Sequence, residues 1–210
     1  MNKKIIAIII IILIAAIIAG YTFFYAPYQE KVLSEQYDGN LQNASAIEKD
    51  LVSITEKFNT QNSTDVDVLI NTINNEIMPK YSEEIKVLNE TLKYANNNET
   101  KEQYIANQTK RLELESKNLN ATVSTLNAIS QYVKGEKSPE DAQSSINRAN
   151  IEMEDSVKEL ETVNNNIKKI LNDNPEFSQM LHNLNLEKTF YGEQRANNQT
   201  PSVANNTTTV

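Results

Sequence analysis

The most frequent chemical signal in this sequence is a triplet that can accept a sugar. Asn-x-Ser/Thr begins at Asn43, Asn62, Asn89, Asn98, Asn107, Asn120, Asn198, Asn205 and Asn206. With 29 asparagines and 30 serines plus threonines among 210 residues, random placement gives roughly four such triplets, so the excess is about twofold. In a secreted setting each is a candidate N-glycan acceptor. An A+T-rich genome, which raises Asn and Ile together, is the competing cause.

Residues suited to catalysis are sparse. His182 is the single histidine and there is no cysteine, so one chain assembles neither a histidine metal cluster nor a Ser/His/Asp relay. Glu83 with Glu84, and Glu152 with Glu154 and Asp155, have the chemistry of an acid–base pair or a hard-cation site. Their spacing among lysines fits solvated helix faces better. There is no glycine-rich phosphate loop, and Arg111, Arg148 and Arg195 form no evident clamp. The chain is expected to be no enzyme and to need no cofactor and no metal. Its net charge of -8 makes nucleic acid an unsuitable partner.

The elements that would carry these residues begin with an apolar run. Ile5 to Phe24 contains ten isoleucines and no charge, and twenty helical residues at about 1.5 Å each cross the roughly 30 Å of a bilayer core. Signal-peptide cores are shorter, and Ala19 and Gly20 are preceded two residues earlier by Ile17 and Ile18, not by small residues. The run therefore reads as a retained transmembrane anchor. Lys3 and Lys4 mark a cytoplasmic N-terminus over residues 1–4, while Tyr21, Tyr25 and Tyr28 form an aromatic belt on the far side. The chain beyond Tyr28 is expected outside the cytoplasmic membrane, carrying 18 basic against 28 acidic residues once Lys3 and Lys4 are set aside. Without cysteine it has no disulfide to hold it, so packing or association must suffice.

From residue 28 to 191 the apolar spacing is helical throughout. The first helix, 28–59, aligns Tyr37, Leu41, Ala44, Ile47, Leu51, Ile54 and Phe58; the second, 64–95, is kinked at Pro79 and aligns Ile73, Ile77, Tyr81, Ile85, Leu88 and Leu92. In the third, 100–134, Ile105, Leu112, Leu119, Leu126 and Val133 recur every seven residues, with Ile129 alongside. The fourth, 139–172, carries Ala142, Ile146, Ala149, Met153, Val157, Leu160, Val163, Ile167 and Ile170. Ser63 or Thr64, a Thr100–Gln103 capping box, and Gly135 followed by Ser138 and Pro139 mark the breaks. A short fifth helix is expected over 175–191, opened by Asn174 and Pro175, and residues 192–210 read as a disordered polar tail.

Four helices of matched length with short connections imply an all-α antiparallel four-helix bundle, coiled-coil-like, outside the membrane and following an N-terminal transmembrane helix. One continuous intermolecular coiled coil is the alternative. In the bundle, Tyr28, Tyr37, Tyr94, Tyr104, Phe190 and Tyr191 gather at the membrane-proximal end, either filling it or forming an aromatic site. This layout over about residues 28–172 resembles the extracytoplasmic four-helix sensor domains of chemoreceptors and histidine kinases, though no motif is shared. That resemblance implies a ligand-binding module; those receptors also carry a second span and an output domain, so here signalling would need a membrane partner. The preferred expectation is a structural, spacer or protein-interaction role. The bilayer and a protein partner, or self-association, are the partners implied, and a small-molecule ligand is the alternative.

Overall fold

The computed structural model describes residues 26–60 and 65–186. The apolar run 5–24 with Lys3, Lys4, Tyr21 and Tyr25, the residues Phe190 and Tyr191, and the tail 192–210 lie outside the described residues. Among the described residues all regular structure is helical, and no helix is long and apolar enough to cross a membrane.

Helix α1 spans Ala26–Thr60. Gly39 does not interrupt it, because a glycine in an exposed turn weakens a helix without obstructing it. Asp65 opens the next segment: its side chain accepts from the backbone N–H groups of Asp67 at 3.0 Å and Val68 at 3.4 Å. It takes the capping role expected of Ser63 or Thr64, which lie outside the described residues. Helix α2, Val66–Thr72, passes into a π-helical turn at Ile73–Ile77 and then α3, Met78–Thr91.

The π turn replaces the simple kink expected at Pro79. Proline supplies no N–H, and its ring crowds the carbonyl four residues back, here that of Asn75. Widening the turn relieves that crowding, and Met78 N–H reaches back five residues to Ile73 O. Ile73, Ile77 and Tyr81 all stay buried, so the apolar face survives the irregularity.

A 3₁₀ turn at Leu92–Tyr94 leads into a connection where Asn96 and Asn97 both have φ of 56°, a left-handed conformation that asparagine tolerates better than most residues. Helix α4, Glu99–Val133, is capped by Asn98, whose side chain accepts from Lys101 N–H at 3.0 Å. The expected Thr100–Gln103 box does not form. Gln103 bonds Glu99, and the Thr100 hydroxyl donates to Asn174 Oδ1 at 2.9 Å. Gly135, at φ 73°, ends α4, and the following Glu136 N–H returns to Gln131 O at 2.8 Å. Ser138 caps α5, Pro139–Asp173. Helix α6, Pro175–Asn183, stops short of the expected 191. Asn185, at φ 56°, follows its end, and Leu186 N–H closes back on Leu181 O at 3.0 Å.

Pairing across the bundle fixes direction. Asp67 meets Ser130 and Tyr81 meets Glu115, so the α2–α3 segment runs antiparallel to α4. Lys80 reaches Asp50, Thr122 reaches Met153 and Thr100 reaches Asn174. Helix α1 runs parallel to α4, since Tyr37 meets Lys101 and Glu48 meets Arg111. The main core joins Tyr37, Leu41 and Leu51 of α1 to Ile77 and Leu88, to Ile105 and Leu112, and to Val163, Ile167 and Phe177. Farther along, the α4–α5 seam changes character: Ala121 and Ala128 of α4 and Ala142, Ala149 and Ser156 of α5 are buried, all at heptad spacing.

Three apolar residues expected to be part of the stripes are instead exposed. Ile129 is 36% exposed, Val133 76% and Val157 57%. Ile129 and Val157 directly follow the small contact residues Ala128 and Ser156 and are left outside the seam, while Val133 is the last residue of α4.

Two glycines separate backbone effects from packing, since a methyl group added at either meets nothing within 4 Å. Gly39→Ala is expected to stabilise the fold by about 0.5–1 kcal/mol, because it removes chain freedom within a helix. Gly135→Ala should destabilise it by about 1–2 kcal/mol, because its φ is left-handed. Urea unfolding followed by circular dichroism reads both signs.

Candidate functional site

The strongest concentration of chemistry lies in the core and centres on Arg111. Its side chain is 1% exposed. Helix α4 carries Gln108, Arg111 and Glu115 three and four residues apart, so all three project from one face. Arg111 Nε donates to Gln108 Oε1 at 2.9 Å, Nη1 to Glu115 Oε1 at 3.1 Å, and Nη2 to Glu48 Oε2 of α1 at 2.9 Å. Tyr81 of α3 donates its hydroxyl to the other oxygen of Glu115 at 3.1 Å. Glu84, one turn beyond Tyr81 and 0% exposed, adds a third carboxyl group to the guanidinium's surroundings.

Burial opposes the charge on Arg111, but Glu48, Glu115 and Glu84 together outweigh it and hold the guanidinium well above its ordinary pKa. The group is therefore a permanent cation inside the core. Its planar fork spreads three donors over partners from two helices, a geometry that lysine would not reproduce. The arrangement positions α1, α3 and α4 relative to one another. Among the described residues no group of His, Cys, Asp or Glu is arranged to hold a metal ion.

Residue type alone does not reveal this cluster: it assigns Glu83 and Glu84 to solvated surface and shows no arginine clamp. Glu83 is indeed exposed, bonded to Lys80 at 3.1 Å, while Glu84 is buried. Spacing does carry the signal. Glu48 falls between Ala44 and Leu51, and Glu84 between Tyr81 and Leu88, each at the three-and-four spacing of the apolar stripe. A charge at a stripe position has to find its partner inside.

At one end of the bundle the structure brings together part of the expected aromatic set. Tyr37 and Tyr104 are buried, and Tyr104 meets Phe177 of α6 edge-on, with centroids 5.1 Å apart. Lys101 Nζ lies 4.3 Å from the Tyr37 ring centre. Tyr94 is half-buried against the same core. Tyr28 is 63% exposed and stands apart. Burial pushes the Tyr37 hydroxyl far above the ordinary tyrosine range, and Tyr104 and Asp38 act in the same direction. Burial likewise raises the Asp38 carboxyl against the pull of Lys101, and lowers Lys101 against the pull of Asp38.

The remaining predicted residues are dispersed. His182 lies exposed on α6, and Glu152, Glu154 and Asp155 lie exposed on α5. Of the sugar-acceptor asparagines, Asn43, Asn89, Asn98 and Asn120 are exposed and Asn107 is half-buried; Asn62, Asn198, Asn205 and Asn206 lie outside the described residues. Two shallow concavities lie along α5, one at Pro139, Gln143 and Asn147 and one at Asn150, Met153 and Val157. Each is lined by that helix alone.

Arg111→Ala leaves buried carboxylates without their counter-charge and should destabilise the fold by about 3–5 kcal/mol, whereas Arg111→Met combined with Glu48→Leu, Glu84→Leu and Glu115→Leu should recover most of that loss. Chemical denaturation of both variants tests this.

Alkali addresses the ring cluster. Unfolding releases Tyr37 to its ordinary pKa, so above about pH 10 the unfolded chain gives up a proton that the folded chain keeps, and stability falls by up to about 1.4 kcal/mol per pH unit for that proton. Below the unfolded value both states hold the proton and the effect vanishes. Tyr37→Phe should flatten the measured slope by about half a proton at pH 10, rising to about nine-tenths of a proton at pH 11.

No protein-family model, curated protein or solved structure matches this chain, so its functional reading rests on its own sequence and geometry.

Proposed function

We propose that this chain is a single-span membrane-anchored surface protein whose helical bundle stands outside the cell and serves a structural, spacer or protein-interaction role. The observation that carries the reading is in the sequence: twenty uncharged residues, 5–24, preceded by Lys3 and Lys4, run to within two residues of the start of α1. The bundle geometry supports it. The start of α1 shares an end of the molecule with the Asn96–Asn98 connection and α6, so a membrane at residue 24 would face that end.

A second reading, a ligand-binding bundle that signals through a membrane partner, draws on the half-buried Asp38 and Lys101 beside the rings. The rings themselves favour the first reading, because Tyr37, Tyr104 and Phe177 are packed into the core. They fill the end of the bundle instead of lining an opening. The Arg111 cluster likewise faces inward and serves architecture.

The absence of cysteine makes topology directly measurable. Gln143→Cys, at an exposed position on α5, should react with a membrane-impermeant maleimide on intact cells, whereas Asn2→Cys should react only after lysis. Labelling of Gln143→Cys only after lysis would reject the surface reading, as would recovery of the protein in the medium with a new N-terminus beyond residue 24.

A further inference from the structure

In an α-helix, residues two apart project about 200° apart. A helical Asn-x-Ser/Thr triplet therefore sends its amide and its hydroxyl to opposite sides, and this bundle does so repeatedly. Asn43 is exposed while Ser45, two residues on, is 2% exposed, its hydroxyl closed off from solvent. Asn89 is exposed while Thr91 is 0% exposed and donates to Val87 O at 2.8 Å. Asn120 is exposed while the half-buried Thr122 hydroxyl donates to Asn118 O at 3.0 Å.

Such triplets are ordinarily read in exposed segments, where amide and hydroxyl are accessible together. Here that condition fails in the folded state and holds in the unfolded chain. The outward asparagines nevertheless leave room for a sugar once the bundle has formed. We propose that Asn43, Asn89 and Asn120 are N-glycan acceptors that an oligosaccharyltransferase modifies only before the bundle folds, and that folding then buries the recognition hydroxyls of Ser45 and Thr91 and ties that of Thr122 to Asn118 O on the side of the helix away from Asn120. Occupancy in cells rests on the surface reading above; the order of events rests on the fold alone.

The donor is an oligosaccharide on a polyprenyl phosphate or diphosphate. A bond forms between asparagine Nδ2 and the sugar C1, and the bond from C1 to the phosphate oxygen breaks. The polyprenyl phosphate, or the diphosphate where that is the donor, leaves with the electron pair, and Nδ2 gives up one proton to a base. The side-chain carbonyl is untouched.

The test uses the full chain in detergent micelles with purified oligosaccharyltransferase and its polyprenyl-linked donor, read by glycopeptide mass spectrometry. The folded wild type is compared with Leu41→Asp/Leu112→Asp, which keeps every triplet but breaks the core at two positions that are 0% exposed. The unfolded variant should be modified at Asn43, Asn89 and Asn120 at least about tenfold faster than the folded chain, since modifying the latter requires local opening. Equal rates would overturn the proposal, as would failure of the unfolded variant to accept sugar at these three positions. Wild-type chain synthesised in the presence of enzyme and donor should carry sugar there and still melt cooperatively; a glycosylated chain that cannot fold would overturn it equally. If the surface reading alone is wrong, glycan is missing from cell-derived protein and Gln143→Cys stays unlabelled on intact cells, while the purified-component result stands.

Discussion

A guanidinium buried in the core, as Arg111 is, must be neutralised where it stands, and the helices around it are arranged to meet that requirement. Arg111 cannot shed its proton, so desolvation has to be offset by carboxyl groups brought from other helices. Glu48 comes from α1 and Glu84 from α3, while Glu115 stands one turn away on α4 itself with its second oxygen held by Tyr81. Apolar burial draws these helices together without choosing among neighbouring registers; the charged contact does choose. A slip of α1 by one heptad would keep its apolar stripe on the core but carry Glu48 about 10 Å along the axis, out of reach of Arg111.

Stability and specificity are thus divided between different residues. The leucines, isoleucines and tyrosines of the main cluster supply the burial, at about 25 cal/mol for each Å² removed from water. Beyond that cluster the α4–α5 seam depends on Ala121, Ala128, Ala142 and Ala149, which bury little area each but allow the backbones to approach closely. Close approach also explains the exposed Ile129 and Val157, each one position after a buried small residue, Ala128 or Ser156: on a narrow seam, large side chains there turn outward. The α4–α5 seam beyond the main cluster thus relies more on the fit of small residues, and the end with Tyr37, Tyr104 and Phe177 more on rings and aliphatic side chains.

Much of this architecture was legible in the sequence, and the reasons differ by feature. Helix existence and the breaks at Gly135, Ser138 and Pro139 followed from local chemistry that acts within a few residues and that tertiary structure did not override. The caps at Asp65 and Asn98 were displaced from the expected positions because several Asn, Asp, Ser and Thr residues stand side by side there, and any of them could satisfy the free N–H groups. The π turn before Pro79 was invisible to periodicity, since an inserted residue that preserves the buried face leaves the apolar pattern intact. The Arg111 cluster was hidden for a different reason: residue type places charges on the surface, although Glu48 and Glu84 occupy stripe positions by spacing.

The same geometry that hides the charge cluster also sorts the polar residues of the surface. A helix with a narrow apolar stripe offers its neighbours small hydroxyl-bearing residues at the stripe's edge, where Ser45, Thr91 and Thr109 are buried, and offers solvent the asparagines two positions before Ser45 and Thr91. Hydroxyls at such positions satisfy themselves locally where they can, as Thr91 does on Val87 O. Placement of the amide outside and the hydroxyl inside is therefore a consequence of helical packing rather than an accident of any one triplet. Chemistry that needs both groups at once is disfavoured on the packed bundle and favoured on the unfolded or locally opened chain, a consequence of the same 3.6-residue repeat that builds the core.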